Sequence, residues 1–161
     1  MNPDVRKLCE NKITKLDLID ETAPEFNVND TKGQTVSLSD LNGKVVLIDF
    51  WATFCPPCIA ELPNIKRLYS EYHGKGFEIV GISLDGDDSV VARFTEQSKM
   101  AWPQIVDQQD VEALRKKYHV DTIPSLYIID RKGNLRWGDI KNADAEKAIQ
   151  LLLKEDPADL S

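Results

Sequence analysis

Cys55 and Cys58, within the run Phe50-Trp51-Ala52-Thr53-Phe54-Cys55-Pro56-Pro57-Cys58, are the side chains of this 161-residue sequence best suited to chemistry. The run follows an apolar stretch of β character, Val45 to Phe50. It opens a segment with helical periodicity at Ile59, Leu62, Ile65, Leu68, Tyr69 and Tyr72. That order predicts Cys55 at a helix N-terminus, where unpaired amide N–H groups and the positive end of the helix dipole favour a thiolate. Cysteines so placed have pKa values lowered into roughly the 3.5–7.5 range, so a useful fraction is nucleophilic at neutral pH. With a second sulfur one turn on, the pair can close and reopen a disulfide and so carry two electrons. The expected division of labour is an exposed, attacking Cys55 and an inner Cys58.

Other uses of two such cysteines fit less well. A structural zinc site wants four ligands, and beyond this pair the sequence offers only Cys9, His73 and His119, none at a second short ligand spacing. Haem attachment would need His directly after the second cysteine, where Ile59 stands. A purely structural disulfide closing so short a loop would remove little unfolded-state entropy. His73 and His119 read as solvated surface histidines. Cys9 reads as a free, non-catalytic thiol.

The elements that must position the pair follow from hydrophobic pattern. Val45 to Trp51 is nearly continuous in apolar residues, which predicts a strand covered on both faces. Phe77 to Leu84 is a second such strand, and the helical segment between them predicts a parallel βαβ unit. From Asp85 to Val120, two short helical patterns, Val90/Val91/Phe94 and Val111/Leu114/Tyr118, flank a strand at Gln104 to Val106. Hairpins are predicted across Asp30-Thr31-Lys32-Gly33 and Asp130-Arg131-Lys132-Gly133, where Gly supplies the positive φ of the turn. A last helix carries Ala145, Ala148, Ile149, Leu152 and Leu153 on one face. The expected division is a polar N-terminal extension over 1–17, one α/β domain over 18–155, and a tail over 156–161.

Composition sets the outer bounds. With 42% hydrophobic residues the chain is one domain with room for a sizeable core. A net charge of −7 and a pI near 4.9 argue against nucleic-acid or anionic-membrane binding, both of which want a basic face. No apolar run approaches the roughly 20 residues needed to span a bilayer. Met1 to Glu10 has no signal-peptide core, so the chain is either cytoplasmic or a form without its signal.

The segment Leu47 to Cys58 resembles the active-site strand and turn of the thioredoxin superfamily. More narrowly, Cys58-Ile59-Ala60-Glu61-Leu62-Pro63 is similar to the TlpA/ResA-like branch, as are Ala23-Pro24-Glu25-Phe26 and the run Gly33 to Lys44. Ile123-Pro124 before the strand at Ser125 to Asp130 looks like the superfamily's cis-proline element. The resemblance runs from about Ile19 to about Glu155. It implies a thioredoxin-like fold, a central mixed sheet flanked by helices, with an N-terminal hairpin and a TlpA-type α/β insertion. It also implies a thiol-disulfide oxidoreductase that needs no cofactor and no metal, acting as a monomer on disulfide-containing or dithiol proteins and recharged by an external electron donor. TlpA/ResA-like proteins mostly work outside the cytoplasmic membrane, which favours the form without its signal.

Around the cysteines, Asp49 sits mid-strand, where burial should raise its pKa and suit it to accept a proton from a thiol; the alternative is a frayed strand end pointing to water. The position matches the buried aspartate that thioredoxins place behind the second cysteine. Glu61 matches a glutamate that tunes thiol protonation in ResA-like proteins, or is an ordinary first-turn acid stabilising the helix. Pro63 falls inside the helix as a kink. The resemblance also implies a cis Ile123–Pro124 bond offering a backbone edge to an incoming peptide. Trp51, Phe54, Pro56 and Ile123 would then form an apolar rim about Cys55, although Trp51 and Phe54 fit equally as partly buried packing residues.

Two rival functions share some of these features. A peroxiredoxin-like peroxidase would want Thr three residues before its reactive cysteine, where Ala52 stands. A Sco-like copper-binding assembly factor would space its cysteines by three residues and add a downstream histidine ligand, whereas this sequence has two residues between its cysteines and no such histidine motif.

Overall fold

The computed structural model describes residues 19–155. Cys9 and the segments 1–17 and 156–161 lie outside the described residues. Seven strands and four α-helices follow in the order β1 (Asn27–Asn29), β2 (Thr35–Ser37), β3 (Val45–Trp51), α1 (Pro56–Tyr72), β4 (Phe77–Ser83), α2 (Asp88–Gln97), β5 (Gln104–Ile105), α3 (Gln108–Lys117), β6 (Ser125–Ile129), β7 (Leu135–Gly138) and α4 (Asn142–Lys154). The main sheet has the strand order β5-β4-β3-β6-β7. Its β3–β4 and β4–β5 pairs are parallel, and β6 and β7 close it in antiparallel fashion. The β1–β2 hairpin stands apart as a two-stranded sheet.

β3 is central, and all seven of its residues are buried, as its unbroken apolar run requires. Alternation along it divides the core in two. Val45, Leu47 and Trp51 face one cluster with Ile65 and Leu68 of α1 and Ala148, Ile149 and Leu152 of α4. Val46, Ile48 and Phe50 face the other, with Phe26 and Val36 of the hairpin region and Val111 and Leu114 of α3. Both layers are therefore apolar, and α1 is held on one of them with its N-terminus at the end of β3 where Trp51 leads into the cysteine turn.

The predicted turns form where glycine permits them. Gly33 and Gly133 adopt φ of 76° and 88°. In each turn the preceding Asp accepts two backbone N–H bonds: Asp30 from Lys32 and Gln34, Asp130 from Lys132 and Asn134. The second hairpin carries an irregularity between Ile128 and Ile129 that periodicity does not reveal.

Candidate functional site

The end of β3 turns sharply into α1. Cys55 N–H bonds to the Ala52 carbonyl at 3.2 Å, and Cys55 then caps the helix in an extended conformation (φ −102°, ψ 100°). Pro56 and Pro57 fill the first two helical positions, where a missing N–H costs nothing and a fixed φ suits the helix. Cys58 N–H points back at Cys55 Sγ at 3.3 Å, so the cysteine sulfur takes the place of the usual capping oxygen. The two sulfurs are bonded, with Cα atoms 5.3 Å apart. No acidic residue lies in the first turn of α1, so nothing there opposes negative charge on Cys55 once the bond is reduced.

The two cysteines do not differ in exposure as expected. Cys55 is 6% exposed and Cys58 8%. Solvent is met instead by their neighbours Phe54, Pro56 and Pro57, all three exposed. What separates the sulfurs is the cap: Cys55 Sγ receives the helix N–H.

Asp49 shares the β3 face of Leu47 and Trp51, the face on which α1 and both cysteines pack. It is 7% exposed, and its carboxyl has no hydrogen-bond partner among the described residues. Burial pushes its pKa from 3.8 up to about 7. The alternative of a frayed strand end does not hold, since Asp49 is paired on both sides, with Gly81 of β4 and Leu126 of β6.

Other expected site residues are placed unevenly. Phe54 is 66% exposed and Pro56 is exposed, whereas Trp51 is only 3% exposed. The Trp51 indole N–H reaches Gln104 Oε1 at 2.9 Å and its ring packs on Phe94 at 5.7 Å, so of its two expected placements Trp51 takes that of a buried packing residue. A residue ending a strand buried on both faces has no route to solvent. Glu61 is exposed and lies in the second turn of α1, not the first. Pro63 lies inside α1. Ile123 and Pro124 are half-buried, their peptide bond is cis, and they directly precede Ser125, the register partner of Phe50. They therefore stand at the same sheet end as the cysteine turn. His73 is exposed and stacked on Tyr69 at 4.5 Å, while His119 is half-buried and takes a left-handed backbone.

One participant has no signature in the sequence. Asp85, two residues past β4 and 7% exposed, accepts the Thr53 N–H at 2.8 Å, the Thr53 hydroxyl at 2.6 Å and the Ser83 hydroxyl at 2.7 Å. In the sequence it reads as the first acid of a polar loop, Asp85-Gly86-Asp87-Asp88. Beside it, Phe54, Leu84 and Val111 line an open groove of about 420 Å³ that also meets Arg115.

Comparison with known proteins agrees with this geometry. The model of the AhpC/TSA family matches residues 19–138. The thiol-disulfide oxidoreductase ResA of Oceanobacillus iheyensis is 37% identical over 130 residues, which are 78% of this chain and 65% of that protein. ResA of Geobacillus kaustophilus is 32% identical over 82% of this chain and 76% of its own length. Among solved structures, the thioredoxin domain of a thiol-disulfide oxidoreductase from Bacteroides vulgatus superposes with a TM-score of 0.77 at 28% identity, covering 84% of this chain and 98% of that one. A thiol:disulfide interchange protein of the thioredoxin family from Chlorobium tepidum gives 0.73 at 25%, covering 82% and 95%. These relatives do not favour the peroxidase or copper-factor readings. With a thioredoxin-like sheet, a disulfide-bonded Cys55–Cys58 pair at the start of α1 and relatives of this kind, the chain belongs to the AhpC/TSA family, among its ResA-like thiol-disulfide oxidoreductases.

Proposed function

We propose that this protein reduces disulfides of partner proteins outside the cytoplasmic membrane, with Cys55 as nucleophile, Cys58 as resolving thiol and Asp49 as the proton acceptor behind them. The observation that carries the reading is the placement of Cys55 Sγ as the cap of a 17-residue helix, where the Cys58 N–H already points at the sulfur. In the reduced protein the Cys55 thiolate attacks one sulfur of the partner disulfide. The bond between the partner's sulfurs breaks, and one leaves as a thiolate that takes a proton from water. Asp49 accepts the Cys58 thiol proton, and the Cys58 thiolate attacks Cys55 Sγ. The mixed disulfide breaks, the partner's second sulfur leaves as a thiolate that takes up a proton from water while Asp49 returns its own to solvent, and the electron pair has passed from this protein to its partner. An external dithiol donor restores the pair.

Phe54, Pro56 and the Ile123–Pro124 edge are the surface on which the partner docks, with the groove beside Phe54 open to one of its side chains. Glu61 acts, in this reading, by tuning thiol protonation from the second turn of α1. Location outside the cytoplasmic membrane and a monomeric state rest on the family resemblance. Among the described residues, no helix is long and apolar enough to cross a membrane.

Equilibration of the Cys55–Cys58 pair with glutathione tests the direction of transfer. A potential near the roughly −270 mV of thioredoxin supports reduction, whereas one near the roughly −120 mV of DsbA would overturn it in favour of oxidation.

A further inference from the structure

We propose that Asp85 is a positioning residue of the redox turn: its carboxylate clamps Thr53 from β4 and thereby fixes Cys55 as the cap of α1 and Phe54 in solvent. The inference rests on the disulfide-exchange reading above, whose nucleophile is Cys55.

Sheet register delivers the clamp. In the parallel β3–β4 pair Trp51 stands opposite Ser83, so continuing both chains by two residues brings Thr53 opposite Asp85 on the same face. The strands have ended there, and the ladder is prolonged by one more backbone bond, Leu84 N–H to the Trp51 carbonyl at 2.8 Å. Beyond that point the Asp85 side chain takes over. Oδ2 accepts the Thr53 N–H and the Ser83 hydroxyl, and Oδ1 accepts the Thr53 hydroxyl. Ser83 Oγ in turn accepts the Asp85 N–H at 3.0 Å, which fixes the carboxylate against its own strand.

Thr53 is the first central residue of the turn closed between the Ala52 carbonyl and Cys55 N–H. Both of its donors go to the carboxylate of Asp85, a residue 7% exposed, so the turn rotates only by breaking charge-assisted hydrogen bonds to a buried acceptor. A shift of that turn moves Cys55 Sγ relative to the Cys58 N–H and moves Phe54 relative to the groove it borders with Asp85. Misplacement on the ångström scale at a reacting atom costs about 10²-fold in rate.

The clamp and the charge can be separated by substitution. Asp85→Asn can keep the three contacts, because its Oδ1 still accepts the Thr53 N–H and the Ser83 hydroxyl while its amide donates to Thr53 Oγ1, a hydroxyl that serves either way. Asp85→Ala removes them all. Thr53→Val removes one contact from the other side, and Thr53→Ser keeps both donors.

The readout is the pH profile of Cys55 alkylation by iodoacetamide in the reduced protein, with Cys9 replaced by Ser in every variant. It is measured alongside kcat/KM for insulin reduction and thermal unfolding. Asp85→Ala should raise the apparent pKa of Cys55 by about one unit relative to Asp85→Asn, which loses the same charge, and lower kcat/KM by at least about tenfold, while Asp85→Asn and Thr53→Ser keep kcat/KM within about threefold of the parent. Thr53→Val should shift the profile in the same direction by a smaller amount, and this variant decides the matter if Asp85→Ala does not fold. A folded Asp85→Ala with the parent's profile and kcat/KM overturns the proposal. So does Thr53→Val with an unchanged profile where Asp85→Ala does not fold, or a folded Asp85→Asn as impaired as Asp85→Ala. Since alkylation needs no protein substrate, a shifted profile in a protein that fails to reduce insulin would leave the clamp standing and remove the reductase reading alone.

Discussion

Replacing Asp49 with Asn isolates the energetic cost of a buried, unpartnered carboxylate. In the unfolded chain Asp49 titrates near 3.8 and in the folded protein near 7, because burial on the α1 face of β3 disfavours the charge. Between those pH values the folded protein holds a proton that the unfolded chain has released. Its contribution to stability is therefore fully present below about pH 4, is lost as pH rises to about 7, and is constant above. At about 1.36 kcal/mol for each pH unit, the loss amounts to about 4 kcal/mol. Asn cannot titrate, so Asp49→Asn should gain about 4 kcal/mol relative to the parent between pH 4 and pH 8. Urea unfolding of both oxidised proteins across that range measures the difference, and every other titrating group cancels in it. A difference that stays constant to within about 1 kcal/mol would refute the reasoning. The same substitution should slow resolution of the mixed disulfide by about 10²-fold and remove the rise in its rate through pH 7, followed by stopped-flow kinetics.

Gly81→Ala should destabilise the protein by about 1–3 kcal/mol in urea unfolding, because a Cβ there falls 2.6 Å from Gln104 Cδ and displaces the side chain that accepts the Trp51 indole N–H. Phe54→Ala, at a position 66% exposed, should raise KM for insulin by about three- to tenfold with kcat and the unfolding midpoint unchanged. Tyr127→Phe should cost about 1–2 kcal/mol by urea unfolding, since it strips the buried Tyr118 carbonyl of its 2.6 Å hydrogen bond while leaving the ring packed on Phe50.

Much of the fold was legible because its signals are local. The run Val45 to Trp51 has no polar face to offer solvent, and the spacing from Ile59 to Tyr72 admits a helix of the observed length. The turns at Gly33 and Gly133 follow from the backbone freedom of glycine and from an Asp three residues earlier that bonds the turn's N–H groups. Asp49 was legible for the same reason: a carboxyl amid apolar neighbours in a central strand has nowhere to go but inward. Trp51 was not, because strand alternation and sheet position together decide whether an aromatic beside a reactive cysteine faces solvent or Gln104. Asp85 was out of reach. Its meeting with Thr53, 32 residues away, depends on the β3–β4 register, and nothing in the run Asp85 to Asp88 distinguishes the acid that turns inward from those that stay in water.

The most direct test of the division of labour between the sulfurs is peptide mapping, by mass spectrometry, of the complex that reduced Cys58→Ser protein forms with insulin. A mixed disulfide through Cys55, absent when Cys55→Ser is used instead, is the predicted result. A complex held through Cys9, or insulin reduction that survives Cys55→Ser, would contradict it.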